Sequence, residues 1–129
     1  MGRIETDQNI WLATVRADGR PHLTPIWFVF HDRRIWMCTG ADTVKTRNVL
    51  GNTSVSISLE DGTAPVVAEG VATVHQRPYP QRVVQAFITK YDWDISRRDD
   101  PDGLYDALIE VTIRKWLMGS PEAHSPKHH

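Results

Sequence analysis

The stretch IWLATVRADGRPHLTPIWFVF, residues 10–30, decides the fold, because it contains two strand patterns joined by a tight turn. Residues 10–16 are typical of a strand, and Asp18-Gly19 is a strong indicator of a short hairpin turn. The second strand is expected over Pro21–Phe30. Pro25 lies inside this strand, and because proline has no N–H to donate, we expect a sheet edge or a bulge there. The sequence therefore predicts an antiparallel meander.

The rest of the chain extends this meander into a mainly β fold. Further strands are expected over Arg34–Cys38, Ser54–Glu60, Val66–His75 and Tyr105–Met118, and helices over Val44–Leu50 and Pro78–Tyr91. The order β-β-β-α-β-β-α-β predicts a mainly β (β+α) fold, a small barrel of about six antiparallel strands with two inserted helices packed on its outside. We expect one domain over residues 1–129, with a polar, disordered tail over residues 119–129.

Composition and charge exclude several classes of protein. The chain has 129 residues, of which 15 are basic and 16 acidic, so its net charge is −1. This balance argues against a nucleic-acid-binding protein and against a basic membrane-surface protein. No apolar run approaches the ~20 residues of a membrane helix, and residues 1–9 do not resemble a secretory signal, so a cytoplasmic protein is expected. His22, His31 and His75 share no metal-ligand spacing, and the single Cys38 excludes a Cys-based zinc site, so a structural role is expected for His22.

The segment Thr43–Asn48 is the strongest functional indication from the residues alone. It combines two cations, two hydroxyls and an amide where a strand gives way to a helix, a combination that suits a phosphate group. Lys45 and Arg47 are two residues apart and point to different helix faces, so both reach the same ligand only if it carries several anionic groups. Arg47 has an alternative partner in Glu69. A solvated helix start is the alternative interpretation of the whole segment.

Several segments together resemble the pyridoxamine 5′-phosphate oxidase-like split β-barrel family. The segments are Ile10–Val15, Asp18–His22, Pro25–Phe28, Lys45–Val49 and Val67–Ala72, and the resemblance is good over residues 10–75 and loose at the last strand. The phrase Lys-Thr-Arg-Asn is most similar to the branch of the family that uses the deazaflavin coenzyme F-420. The FMN-binding branch shares the fold, so FMN remains the alternative cofactor.

The resemblance implies a homodimer with the cofactor in a groove between the two barrels. It implies phosphate-binding residues Lys45, Thr46, Arg47 and Asn48, and ring-lining residues Thr24, Pro25, Ile26 and Trp27. Cys38, Thr39 and Gly40 are implied beneath the ribityl chain, and Trp116 of the partner subunit is a candidate ring neighbour or a dimer contact. Only nine residues precede Ile10, so the N-terminal helix of many relatives is expected to be short or absent, which leaves one side of the groove open.

The function expected from this resemblance is that of an oxidoreductase. It would use coenzyme F-420 to reduce a small unsaturated or electron-poor molecule by hydride transfer. No side chain stands out as a catalytic acid or base, so the catalytic residues are unknown. The alternatives are an FMN-binding oxidoreductase on the same scaffold and a non-catalytic cofactor-binding protein.

Overall fold

The computed structural model describes residues 2–97 and 105–123, which form seven strands and three helices. In chain order these are α1 (Arg3–Thr6), β1 (Asn9–Val15), β2 (Pro21–Trp27), β3 (Val29–His31), β4 (Arg34–Thr39), α2 (Val44–Gly51), β5 (Ser54–Leu59), β6 (Val67–His75), α3 (Gln81–Tyr91) and β7 (Ala107–Met118). None of the helices among these residues is long and apolar enough to span a lipid bilayer.

The strands form one antiparallel sheet in the order β2-β1-β5-β6-β7-β4-β3. Its two edge strands, β2 and β3, follow each other directly along the chain and are separated only by Phe28. A sheet whose two edges meet at one residue must curl round on itself, and β2 also contacts β4 across the gap. The sheet is therefore a barrel that is split beside β2.

The predicted fold class is confirmed, and the structure contains one strand and one helix more than predicted. The expected strand Pro21–Phe30 is two strands, because Phe28 leaves the ladder. Its N–H donates to Tyr91 Oη (3.0 Å) and its carbonyl accepts from Lys90 Nζ (3.0 Å), so α3 replaces a strand as its hydrogen-bonding partner. The additional helix is α1, a single turn; the N-terminal helix that was expected to be short or absent is therefore short.

The element boundaries otherwise agree with the predicted ones to within about three residues. Pro25 lies on an edge strand, which is one of the two predicted outcomes and a position where proline is tolerated. The helix predicted from Pro78 begins at Gln81, because Pro80 has an extended backbone and serves as its N-cap. The last strand begins at Ala107 rather than at Tyr105.

Two apolar clusters stabilise the barrel. One fills its interior and includes Ile10, Leu12, Phe28, Met37 and Ile109, and the other lies beneath α3 and includes Trp36, Val83, Phe87 and Leu108. Strand β4 lies between the two clusters, which explains why five of its six residues are buried. Each fully buried large apolar side chain contributes about 1.5–3 kcal/mol to folding.

The first residues of the predicted tail pack against the N-terminus. The N–H of Arg3 donates to the carbonyl of Ala123 (2.7 Å), and Pro121 is buried. Residues 124–129 lie outside the described part of the chain. The predicted disorder of residues 119–129 therefore does not describe residues 119–123, which have defined contacts.

Candidate functional site

A cleft of about 1110 Å³ opens beside the split in the barrel. Pro25, Ile26 and Trp27 line it from β2, and Cys38 lines it from β4. The opposite side of the cleft, its outer wall, is formed by residues 92–97 and Tyr105. Ligand pockets commonly have volumes of about 300–1,000 Å³, so this cleft has room for a planar cofactor ring and a small second molecule.

Trp27 presents an aromatic surface to the cleft. Its indole stacks on the ring of Tyr91, with the centroids 4.4 Å apart and the planes 6° from parallel, and yet 44% of the residue is exposed. Tyr91 is itself fixed, because its hydroxyl accepts from the N–H of Phe28 and donates to the carbonyl of Gln8 (2.6 Å). Trp93 meets the indole edge-on at 6.0 Å. Trp27 is therefore a held, flat surface on which a planar ring can stack.

A cluster of basic side chains, the base cluster, lies at the other end of β2, where α2 contacts β1. Thr14 pairs with His22 across the β1–β2 hairpin, and Asn48 Nδ2 of α2 donates to Thr14 Oγ1 (3.1 Å). Lys45 lies on the same helix face as Asn48, three residues earlier. Arg16 follows Thr14 by two residues, which places its side chain on the same face of the hairpin. The base cluster therefore consists of Arg16, which directly follows β1, His22 on β2 and Lys45 on α2.

No ion pair of the described residues compensates the charges of the base cluster, although Asp18 is close enough to Arg16 for an electrostatic attraction between them. Within residues 2–97 and 105–123, no carboxylate forms an ion pair with Arg16, His22 or Lys45. Burial lowers the pKa of Lys45, and burial together with the charges of Arg16 and Lys45 lowers the pKa of His22. Arg16 Nε and His22 Nδ1 are buried without a hydrogen-bond partner. A bound oxyanion would satisfy such groups and offset their mutual repulsion.

The cleft and the base cluster are connected along β2. His22, Thr24 and Ile26 alternate along one face of the strand, and four residues of antiparallel strand span roughly 14 Å. A second connection runs from Cys38 through Gly40, whose carbonyl accepts hydrogen bonds from the hydroxyls of Thr43 (3.0 Å) and Thr46 (2.7 Å) at the start of α2. Trp27 lies on the opposite face of β2 from His22, so a molecule that is planar at one end and anionic at the other would reach both by passing the free edge of this strand.

The predicted site residues are distributed over both parts of this layout. Pro25, Ile26, Trp27 and Cys38 line the cleft, and Lys45 belongs to the base cluster. The Thr24 hydroxyl donates to the carbonyl of Pro25 (3.4 Å), whereas Thr39 and Gly40 are buried. These last three residues lie between or beside the two parts rather than in the cleft lining.

The remaining predicted residues are used in contacts within the protein or are exposed. Thr46 is buried and donates to Gly40, and Asn48 donates to Thr14. Arg47 is exposed, and no ion pair joins it to Glu69 or to another carboxylate of the described residues. Trp116 packs against the interior cluster of its own barrel.

Sequence reasoning missed the outer wall of the cleft and two members of the base cluster. It left Arg97 and Tyr105 unassigned, and it gave His22 a structural role. For Arg16 and His22 a usable indication was present: the Asp-Gly turn fixes the hairpin register, which places both residues on the face of Thr14. Among the described residues, no group of three or more His, Cys, Asp or Glu side chains is placed to hold a metal ion.

Together these features define a class: a split β-barrel with an aromatic cleft and a separate anion-binding cluster. The family model for pyridoxamine 5′-phosphate oxidase matches residues 3–118, and the chain belongs to that family. The family typically binds flavin-type cofactors.

Solved structures show the same fold. The chain is similar to a conserved hypothetical protein from Mycobacterium tuberculosis, with 28% identity over 86% of this chain and 76% of the other, and a TM-score of 0.65. It is similar to an F420 reductase, with 21% identity over 88% and 91% of the two chains and a TM-score of 0.69. It is also similar to HutZ, the heme storage protein from Vibrio cholerae, with 22% identity over 87% and 88% and a TM-score of 0.67.

Proposed function

We propose that this protein is an oxidoreductase that binds a phosphorylated flavin-type cofactor and reduces a small unsaturated or electron-poor molecule. The observation that carries the proposal is the base cluster of Arg16, His22 and Lys45, which is joined by β2 to the aromatic cleft. None of the three forms an ion pair with a carboxylate of the described residues. Membership of the pyridoxamine 5′-phosphate oxidase family supports the class of cofactor.

Coenzyme F-420 is the cofactor we favour, with FMN as the alternative. The preference rests on the run Lys45–Asn48, which resembles the deazaflavin-dependent branch of the family. The fold does not discriminate, because both an F420 reductase and a heme storage protein share it with this chain. A non-catalytic cofactor-binding protein would use the same residues.

The residues present fit such a cofactor at both ends. When bound, the cofactor supplies the hydride chemistry. Lys45 and Arg16 provide charge-assisted hydrogen bonds for a phosphate, and His22 adds a third polar contact. Trp27 orients the ring by stacking, and the free edge of β2 offers backbone groups to the polar edge of the ring. The outer wall of the cleft, residues 92–97 and Tyr105, excludes water from one side.

We also propose that the protein acts as a homodimer. Leu23 (62% exposed) and Trp27 stand in the outward row of edge strand β2, and Leu117 and Met118 are exposed at the end of β7. Exposed apolar side chains of this size mark interaction surfaces. A second copy of the chain covering β2 would also enclose the cleft that begins at Trp27.

Titration of the cofactor-free protein tests the proposal. Four ligands are compared: F-420, FMN, riboflavin, which lacks the phosphate, and haem. We expect F-420 and FMN to bind, and riboflavin to bind at least tenfold more weakly than FMN, because one charge-assisted hydrogen bond is worth about 1.5–3 kcal/mol. Failure of both phosphorylated cofactors to bind, or binding of haem alone, would refute the proposed function.

A further inference from the structure

Arg77 lies in the connection between β6 and α3 and reaches the outer wall of the cleft. Its Nη2 lies within hydrogen-bonding distance of three backbone carbonyls, those of Ile95 (3.3 Å), Arg97 (3.1 Å) and Tyr105 (2.8 Å). All three of these residues line the cleft, whereas Arg77 is not among the described lining residues. One guanidinium group thus ties the chain on either side of residues 98–104, which lie outside the described structure.

The carbonyl of Tyr105 accepts hydrogen bonds from three side chains. It accepts from Arg77 Nη2, from Tyr79 Oη (3.1 Å) and from Cys38 Sγ (3.7 Å). The Tyr105 ring, in turn, meets the ring of Trp93 edge-on at 4.9 Å. The backbone of Tyr105 is therefore held from β4 and from the β6–α3 connection, and its side chain is packed against the other wall residue that bears a large ring.

The guanidinium is itself held in place. Its Cζ lies 5.4 Å from the ring centroid of Tyr79, in a cation–π arrangement. Burial raises the pKa of the Tyr79 hydroxyl, so this group remains a hydrogen-bond donor across the physiological range. A planar group fixed by stacking loses little entropy when it binds several acceptors, and a lysine at this position would lack that advantage.

We propose that Arg77 is a positioning residue that holds the outer wall of the cleft and thereby sets its affinity for a planar ligand. The residue does this without contacting the ligand, since its bonds go to the backbone of Ile95, Arg97 and Tyr105. Loss of the guanidinium leaves three carbonyls without this donor, so the wall becomes less ordered. Ligand binding must then order the wall as well, which lowers the affinity. The effect of Arg77 on the order of the wall does not depend on the proposed function, whereas its effect on ligand affinity rests on that function.

Three variants test the proposal. Arg77→Met keeps the length of the side-chain stem but removes every donor, and Arg77→Lys restores a charged donor without the planar fork. Arg82→Met is the matched control, because Arg82 is exposed at the start of α3 and forms none of the described hydrogen bonds or ion pairs. Urea unfolding and far-ultraviolet circular dichroism establish that each variant is folded.

Hydrogen exchange without any ligand measures the order of the wall. We expect amide protection of residues 93–97 and 105–106 to fall at least tenfold in Arg77→Met, to recover in part in Arg77→Lys, and to be unchanged in Arg82→Met. Protection of β5, which contributes no residue to the lining of the cleft, should remain. Unchanged protection of the wall in Arg77→Met, or an equal loss throughout the barrel, would overturn the proposal.

Cofactor affinity measures the consequence for the cleft. We expect FMN and riboflavin both to bind about tenfold more weakly to Arg77→Met, with their affinity ratio unchanged, because the wall lies away from the base cluster. Unchanged affinity despite a disordered wall would overturn the role in binding. If the unsubstituted protein binds no flavin-type molecule, the proposed function fails together with the role in affinity, and hydrogen exchange alone decides the role in wall order.

Discussion

At the scale of single residues, Lys45 is the predicted phosphate-binding residue whose surroundings are most specific. The sequence places it in a strand-to-helix segment that suits a phosphate, and the structure places it, half-buried, beside Arg16 and His22. The two neighbours were not predictable from composition, because their proximity depends on the hairpin register and on how α2 packs against β1.

Replacing Lys45 should separate phosphate recognition from ring recognition. We expect Lys45→Met to weaken binding of FMN and F-420 by about tenfold or more, since one charge-assisted hydrogen bond is worth about 1.5–3 kcal/mol, and to leave riboflavin binding unchanged. Fluorescence titration measures both. The control is Arg20→Met, which removes an exposed cation from the same hairpin that is already paired with Asp18 (2.8 Å). Equal losses for FMN and riboflavin would show that Lys45 does not bind the phosphate.

Lys90 should make stability depend on pH in a defined direction. Burial lowers its pKa to about 8, with Asp7 opposing the shift, whereas an unfolded lysine has a pKa near 10.5. Between these values the unfolded chain holds more protons at this site than the folded protein, so stability rises with pH. We expect the urea midpoint of the unsubstituted protein to rise relative to that of Lys90→Met between pH 8 and pH 10. A pH-independent difference would show that Lys90 titrates normally.

At the scale of elements, the alternating strands and both long helices follow from local patterns, whereas the break at Phe28 does not. Residues 26–30 are uniformly apolar, and no turn residue marks the break between β2 and β3. The break results from hydrogen bonds to Lys90 and Tyr91, more than 60 residues away in the sequence. A contact of such range is invisible to periodicity, and so is the outer wall that residues 92–97 form after α3.

The close approach of β6 and β7 leaves no room for a side chain at Gly70. A Cβ atom at this position would lie 2.6 Å from the carbonyl oxygen of Thr112 and 2.8 Å from Val111 Cγ1. We expect Gly70→Ala to lower the free energy of unfolding by about 1–3 kcal/mol, because the strands must move apart or bend. Urea denaturation measures the loss.

Gly62→Ala is the matched control for Gly70→Ala, since nothing lies within 4 Å of a Cβ at that turn position. We expect this control to be neutral or to stabilise the protein slightly, because alanine restricts the unfolded chain. Similar effects of the two substitutions would mean that the β6–β7 contact is looser than described.

At the scale of the whole molecule, the order of elements predicts a small barrel, because antiparallel neighbours with short connections leave few ways to close a sheet. That the barrel is split is implied by the family resemblance. Surfaces that face another molecule are harder to predict. The row of Pro21, Leu23, Pro25 and Trp27 on β2 is exposed in the single chain, and both a partner subunit and a ligand would cover it.

Substitution of Leu23 tests the proposed homodimer. We expect the unsubstituted protein to have twice the mass of one chain in light scattering, and Leu23→Lys to have the mass of one chain, since a buried lysine charge opposes association. Gln85→Lys, which places the same charge on the exposed face of α3, should remain dimeric. A monomeric unsubstituted protein would remove the dimer from the proposal.

The most direct test of the central claim is a crystal structure of the protein grown with F-420 and, in a second crystal, with FMN. We predict that one or both structures will show the ring against Trp27 and the phosphate within hydrogen-bonding distance of Lys45 Nζ. A structure in which the protein's own side chains fill the space between Arg16, His22 and Lys45, or in which the phosphate lies elsewhere, would contradict the account.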